Sequence, residues 1–140
     1  MQKRKNGTSG TNNTPGAVRH TVMPARVAIG TLKKKADRSL QDHFRRIKTK
    51  CEICGKPYQV AHHFITKASS NYLRYEEKNL IFICRSCHTK IHLSQDPVII
   101  AKIVQLRGKK WLAWVESHRH LRKADKREEI MAISVYYNDY

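Results

Sequence analysis

The sequence predicts a small α+β domain in which helices flank a short strand–loop–strand–helix unit. Three observations predict it. Four cysteines fall in two Cys-x-x-Cys pairs, Cys51 with Cys54 and Cys84 with Cys87. Two short β-prone segments, 57–65 and 79–83, lie between those pairs. Stretches with apolar residues at helical spacing lie on both sides.

Composition bounds what such a domain can be. The chain has 140 residues with 28 Lys+Arg against 11 Asp+Glu, a formal net charge of +17. Only 40% of residues are apolar and 8% aromatic, too few for a large self-sufficient core. A multidomain enzyme is therefore excluded. No apolar run approaches the roughly 20 residues of a spanning helix, which argues against a membrane protein. The basic N-terminus runs into a Gly/Thr/Asn tract instead of an apolar segment, so no secretory signal is read and a cytoplasmic location is expected. So strong a positive charge predicts a polyanionic partner, nucleic acid first and acidic membrane second. Oligomeric state is not legible.

The elements follow in order. Residues 1–31 read as a disordered basic tail, because Asn6 to Gly16 is turn-forming throughout and offers nothing to bury. Residues 32–50 read as a basic amphipathic helix. Leu32, Ala36, Leu40, Phe44 and Ile47 mark one face, and Lys33, Lys34, Lys35, Arg38, Arg45 and Arg46 fill most other positions. That basic face is either solvated or laid along a phosphate backbone. Residues 51–95 form the central unit, with strands in 57–65 and 79–83 and a short helix over 85–93. Residues 96–140 are helical: Asp96-Pro97 opens one helix that ends at Gly108, and two more follow over 109–121 and 124–137. Positive charge is concentrated at the front, with 13 basic and 2 acidic residues among the first 50.

The cysteines carry the first chemistry. A Cys-x-x-Cys turn aims two thiolates at one point, and two such turns complete a tetrahedral four-sulfur zinc site. Gly55, after the first pair, suits the turn. Disulfides would need an oxidising compartment that nothing here suggests, and a redox pair does not explain two motifs. Structural zinc also explains how so small a core folds, since metal binding supplies folding free energy of order 10 kcal/mol. Four thiolates leave no open coordination position, so this zinc is a scaffold.

The histidines carry the second. His88 and His92 stand four apart on the helix that starts at the second cysteine pair, so both face one side and can share a metal. With His62 and His63 they bring four of the chain's eight histidines close to the cysteine pairs. His20, His43, His118 and His120 are read as solvent or tail histidines.

The run from Cys51 to His92 resembles the HNH endonuclease superfamily of the ββα-metal type, whose zinc-containing members add a four-cysteine site. The residues that carry the resemblance are Ala61-His62-His63-Phe64, Glu77-Lys78-Asn79-Leu80 and Cys84-Arg-Ser-Cys87-His88-Thr-Lys-Ile-His92. The signature letters fall on His63, Asn79 and His88. A narrower likeness is to the phage lambda NinG (Rap) recombination proteins. It rests on Ala36-Asp37, Cys-x-x-Cys-Gly at 51–55, His63 to Ser69, and Leu73-Arg74-Tyr75 ahead of Asn79-Leu80. His88 stands where that group would carry Asn, and the doubled His62-His63 departs from it too.

The resemblance implies a treble-clef-like ββα-metal core and a metal-dependent DNA endonuclease that nicks, with phage recombination or branched DNA as a possible setting in a bacterial host cell. It makes His63 the general base and Asn79 the residue that orients its ring through a hydrogen bond. It makes His62, in the place where many members carry Asp, a ligand of one catalytic divalent cation together with His88 and His92. Three imidazoles favour Zn, Ni, Mn or Co over bare Mg, and the identity among Mg, Mn, Ni and Zn stays open. Lys67, Arg74, Arg85 and Lys90 are candidates for phosphate contacts, with Arg74 favoured because the loop between the strands faces substrate in this fold. The rival reading is a non-catalytic zinc-ribbon nucleic-acid-binding protein with structural histidines. Charge alone does not separate DNA from RNA.

Deleting residues 1–31 removes Lys3, Arg4, Lys5, Arg19 and Arg26 and no acid. Each phosphate neutralised contributes a slope of about −0.9 in log K against log salt. Titrations of duplex DNA at several salt concentrations should show a shallower slope for the shortened chain. An unchanged slope would make the tail a bystander.

Overall fold

The structure, a computed structural model, describes residues 26–140. The readings made for residues 1–25, His20 among them, lie outside the described residues. A 19-residue helix α1 (Ile29–Ile47) precedes a two-stranded antiparallel sheet of β1 (Val60–His63) and β2 (Leu80–Ile83). A short helix α2 (Arg85–Thr89) leads into one π-helical turn, Lys90–Ser94. Three helices follow, α3 (Pro97–Arg107), α4 (Lys109–Ser117) and α5 (Arg127–Asp139). No helix among the described residues is long and apolar enough to cross a membrane. This is the α+β class, with a small ββα core beside a four-cysteine cluster.

A two-stranded sheet is marginal alone, and its outer edges expose unpaired backbone groups. Here both edges are closed by side chains. The register pairs Ala61 with Phe82. Ala61 turns its backbone outward to Gln41 of α1, donating N–H to Oε1 at 3.0 Å and accepting from Nε2 at 2.8 Å. Phe82 turns outward to Glu52, donating to its carboxylate at 2.9 Å and accepting from its backbone N–H at 2.9 Å. Arg107 of α3 holds that carboxylate with bonds of 2.9 and 2.5 Å. The sheet is thus pinned between α1 and the first cysteine turn.

All four β2 residues are buried because the strand is covered on both faces. Leu80 and Phe82 pack with Leu40, Phe44 and Tyr58 towards α1, where Tyr137 of α5 joins them. Ile81 and Ile83 pack with the cysteine turns and with Ile99 and Ile103 of α3. A third cluster, Ile65, Leu73 and Val115, fills the loop between the strands from α4. The α3 caps are those read from the sequence: Asp96 accepts from the Val98 N–H at 3.0 Å, Pro97 opens the helix and Gly108 ends it at φ +88°.

Some faces differ from the periodicity. α1 begins at Ile29, and its buried stripe is Ala36, Ser39, Leu40, His43 and Phe44, while Ile47 is half exposed. His43, read as a solvent histidine, is buried against Phe44 and Tyr137. Burial pushes its pKa down, with Arg46 and Lys48 adding to the effect, so the ring packs as a neutral aromatic. His118, read the same way, is stacked between Trp114 at 4.3 Å and Tyr72 at 5.4 Å. α5 buries Ile130, Ser134 and Tyr137 and leaves Met131, Val135 and Tyr136 exposed, because Tyr137 sets its register by filling the α1 face.

Phe44 lies 4.7 Å from Phe82 and 5.8 Å from Tyr137, ring to ring, and is 1% exposed. Phe44→Ala should destabilise the zinc-loaded protein by about 3–5 kcal/mol, read by urea unfolding with zinc present. Ile47→Ala, one turn on and half exposed, should cost less than a quarter of that.

Candidate active site

The four cysteines meet at one point. Their sulfurs all lie within 4.8 Å of one another, and Cys54 Sγ is 3.6 Å from Cys84 Sγ. Tetrahedral zinc with bonds of about 2.3 Å sets its sulfurs about 3.8 Å apart, so the donor set and its spacing fit. Burial pushes the Cys87 thiol up, and the three neighbouring sulfurs push it further. Four thiolates can share so small a space only around a cation. Gly55 takes φ +75°, the left-handed conformation that lets the first turn close.

The second cluster is built from β1, α2 and the turn that follows α2. β1 presents His62 to the helix, and the π-helical turn brings His92 back over His88, with Nε2 atoms 3.0 Å apart. The His62 ring is 5.2 Å from His88 and 5.0 Å from His92, and one nitrogen from each of the three lies within 4.8 Å of the others. Burial drives the His62 pKa down to about 4, with the neighbouring imidazoles contributing. His88 is lowered by burial, by His92 and by Arg85. Neutral imidazoles with converging lone pairs can hold a divalent cation.

His63, next along β1, points its ring towards the loop between the strands, where Nε2 lies 2.7 Å from the backbone oxygen of Arg74. A carbonyl only accepts, so Nε2 carries the proton and Nδ1 keeps its lone pair. Burial lowers the His63 pKa, and Lys67 and Arg74 lower it further against the opposing pull of the Arg74 carbonyl and Asp37. His62, His63, His88 and His92 line one cleft of about 540 Å³.

Asn79 does not orient that ring directly, contrary to the sequence expectation. It is fully buried and spends its amide on the loop, accepting from the Ile65 N–H at 2.8 Å and donating to the carbonyls of Ile65 at 2.9 Å and Leu73 at 3.2 Å. Its backbone carbonyl takes the Phe64 N–H at 2.8 Å. Asn79 therefore shapes the loop whose Arg74 carbonyl holds His63.

The basic candidates also divide. Arg74 is not free for phosphate: its guanidinium donates to both Asp37 carboxylate oxygens, at 3.1 and 2.7 Å. Lys67 lines the cleft and donates to the same carboxylate at 3.0 Å. Arg85 and Lys90 are exposed and lie outside the cleft wall. The opposite wall is α1, which contributes Asp37, Arg38, Gln41 and Arg45. Sequence reasoning placed Arg38 and Arg45 on a basic face without aiming them at the histidines, and it assigned Asp37 and Gln41 no role there. Asp37 carried a signal, as one of only two acids in the first 50 residues.

Residues 51–93 match the family model described as HNH endonuclease. The chain carries an HNH domain. The match spans both cysteine pairs, the sheet and α2, and it stops short of α1 and of α3–α5. An HNH domain implies nuclease action on nucleic acid. No curated protein and no solved structure gives a significant match to the chain. The narrower likeness to NinG (Rap) proteins gains no support.

Metal analysis of purified protein after mild chelation should find about one tightly held zinc per chain. Cys54→Ser and Cys84→Ser should each lose it together with the helical circular dichroism of the HNH domain. A zinc-free Cys84→Ser protein with full helicity would overturn the structural role.

Proposed function

We propose that the protein is a metal-dependent DNA endonuclease whose single centre hydrolyses one phosphodiester bond at a time, and so nicks duplex DNA. One observation carries this reading: a His63 whose Nε2–H is committed to the Arg74 carbonyl stands beside three converging imidazoles in the same cleft.

The chemistry follows from the side chains. His63, neutral near pH 7, takes a proton at Nδ1 from the attacking water. Its fixed Nε2–H bond to the Arg74 carbonyl stabilises the imidazolium that results. His62, His88 and His92 would hold one divalent cation, which when bound supplies charge neutralisation at the scissile phosphate and at the leaving O3′. Arg38 and Arg45, two helical turns apart on the facing wall, are placed to hold flanking phosphates. Among the described residues Arg45 is bonded only to the half-exposed Asp42, at 2.8 Å, and can exchange that partner for phosphate. They replace Arg74 as the favoured backbone contacts, with Lys67 retained at the rim.

The test is supercoiled plasmid incubated with the protein and a panel of Mg, Mn, Co, Ni and Zn. Nicked circles should accumulate with at least one metal. His63→Ala should slow nicking by about 10²–10⁴-fold while retaining structural zinc and DNA affinity. Arg38→Ala and Arg45→Ala should each weaken binding and make the salt slope shallower by up to about 0.9. If no metal supports cleavage of supercoiled, linear or branched DNA, the nuclease reading fails and a zinc-stabilised binding protein takes its place.

A further inference from the structure

We propose that Asp37, on a helix outside the matched HNH domain, is a positioning residue for the His63 base. The inference rests on the nuclease reading for its consequence and on geometry for its argument. His63 has one fixed bond, from Nε2 to the backbone oxygen of residue 74. That oxygen belongs to a loop, and a loop carbonyl is only as well placed as the loop.

Asp37 ties this loop down at two points. Its carboxylate takes two bonds from the Arg74 guanidinium in a fork and a third from Lys67 near the loop's start. The Arg74 side chain is thereby anchored to α1 while its own backbone oxygen anchors His63. The fork is largely shielded, with 17% of the Arg74 side chain and 22% of Asp37 exposed. A bidentate carboxylate–guanidinium pair is directional as well as strong, so it fixes orientation and not merely proximity. α1 can serve as the anchor because Leu40 and Phe44 seat it against the sheet and Gln41 bonds to Ala61 of β1. Asn79 supports the same loop from within, and Asp37 supports it from outside.

The arrangement predicts which nitrogen of His63 is protonated and what keeps it so. In the full-length, zinc-loaded protein, long-range imidazole ¹H–¹⁵N spectra should show His63 as the Nε2–H tautomer. Asp37→Ala and Asp37→Asn should each turn that signal into an exchange-averaged mixture, and Asp37→Glu should restore it in large part. Plasmid nicking should fall by about 10–100-fold in kcat for the Ala and Asn variants, with little change in KM for DNA, as for loss of a supporting carboxylate. The Asn variant keeps the shape of the side chain and guards against misfolding in the Ala variant. Unchanged His63 spectra in both variants would overturn the proposal. So would an unchanged kcat with tighter DNA binding, which would mean that Asp37 merely occupies Lys67 and Arg74. If the parent protein nicks nothing, the spectra still decide whether Asp37 sets the His63 tautomer, and only the nuclease reading is lost.

Discussion

Convergence of four sulfurs on one point is the constraint on which the rest of the molecule depends. Cys84 directly follows β2 and directly precedes α2, so fixing its sulfur fixes where the strand stops and the helix starts. The first cysteine turn brings Glu52 to the outer edge of β2, closing an edge that would otherwise be bare. From that fixed origin one helical turn delivers His88 and the following π-helical turn delivers His92 to His62 on β1. π-helical turns recur at functional sites because they swing one side chain out of α register at a local cost in backbone geometry. The geometry that gathers the four sulfurs thus also gathers the three imidazoles.

His63 is placed differently. His62 and His63 are neighbours on one strand and so point to opposite faces. His62 meets His88 and His92, whereas His63 meets the interstrand loop and the cleft wall made by α1. That loop is held from three directions: by Asn79 within, by Asp37 on α1, and by the segment after α4. Ser70 donates to the carbonyls of His118 and Leu121, and Asn71 exchanges bonds with Lys123. Elements on both sides of the matched segment therefore hold the loop that carries the Arg74 carbonyl.

Local patterns made much of this legible. Cysteine spacing, the His88–His92 repeat, the two β-prone runs and the Asp96-Pro97 to Gly108 helix are short-range signals, and each lies where the sequence reading put it. What was misread depended on long-range packing. Asn79 was given a bond to the His63 ring, but fold geometry buries it beneath the loop instead. Arg74 was aimed at phosphate because its loop faces the substrate side, and only the placement of α1 shows that Asp37, 37 positions earlier, takes it. His43 and His118 looked peripheral because nothing local distinguishes a histidine used as a buried ring from a solvated one. Nor does the local pattern show which face of α5 is covered: its apolar residues exceed what one contact face can cover, and Tyr137 decides which are covered.

Tyr137 stands three residues before the last residue of the sequence. Its ring packs on Phe44 and His43, its carbonyl receives a bond of 2.9 Å from Arg46, and its hydroxyl donates to the carbonyl of Tyr75, one residue past the oxygen that holds His63. A nonsense mutation at codon 137 would spare the four clustered cysteines, the three clustered histidines and the whole matched segment. It would nonetheless strip an aromatic packing partner from α1 and a tether from the interstrand loop. A reading frame that keeps the whole motif but ends there is a candidate loss-of-function allele.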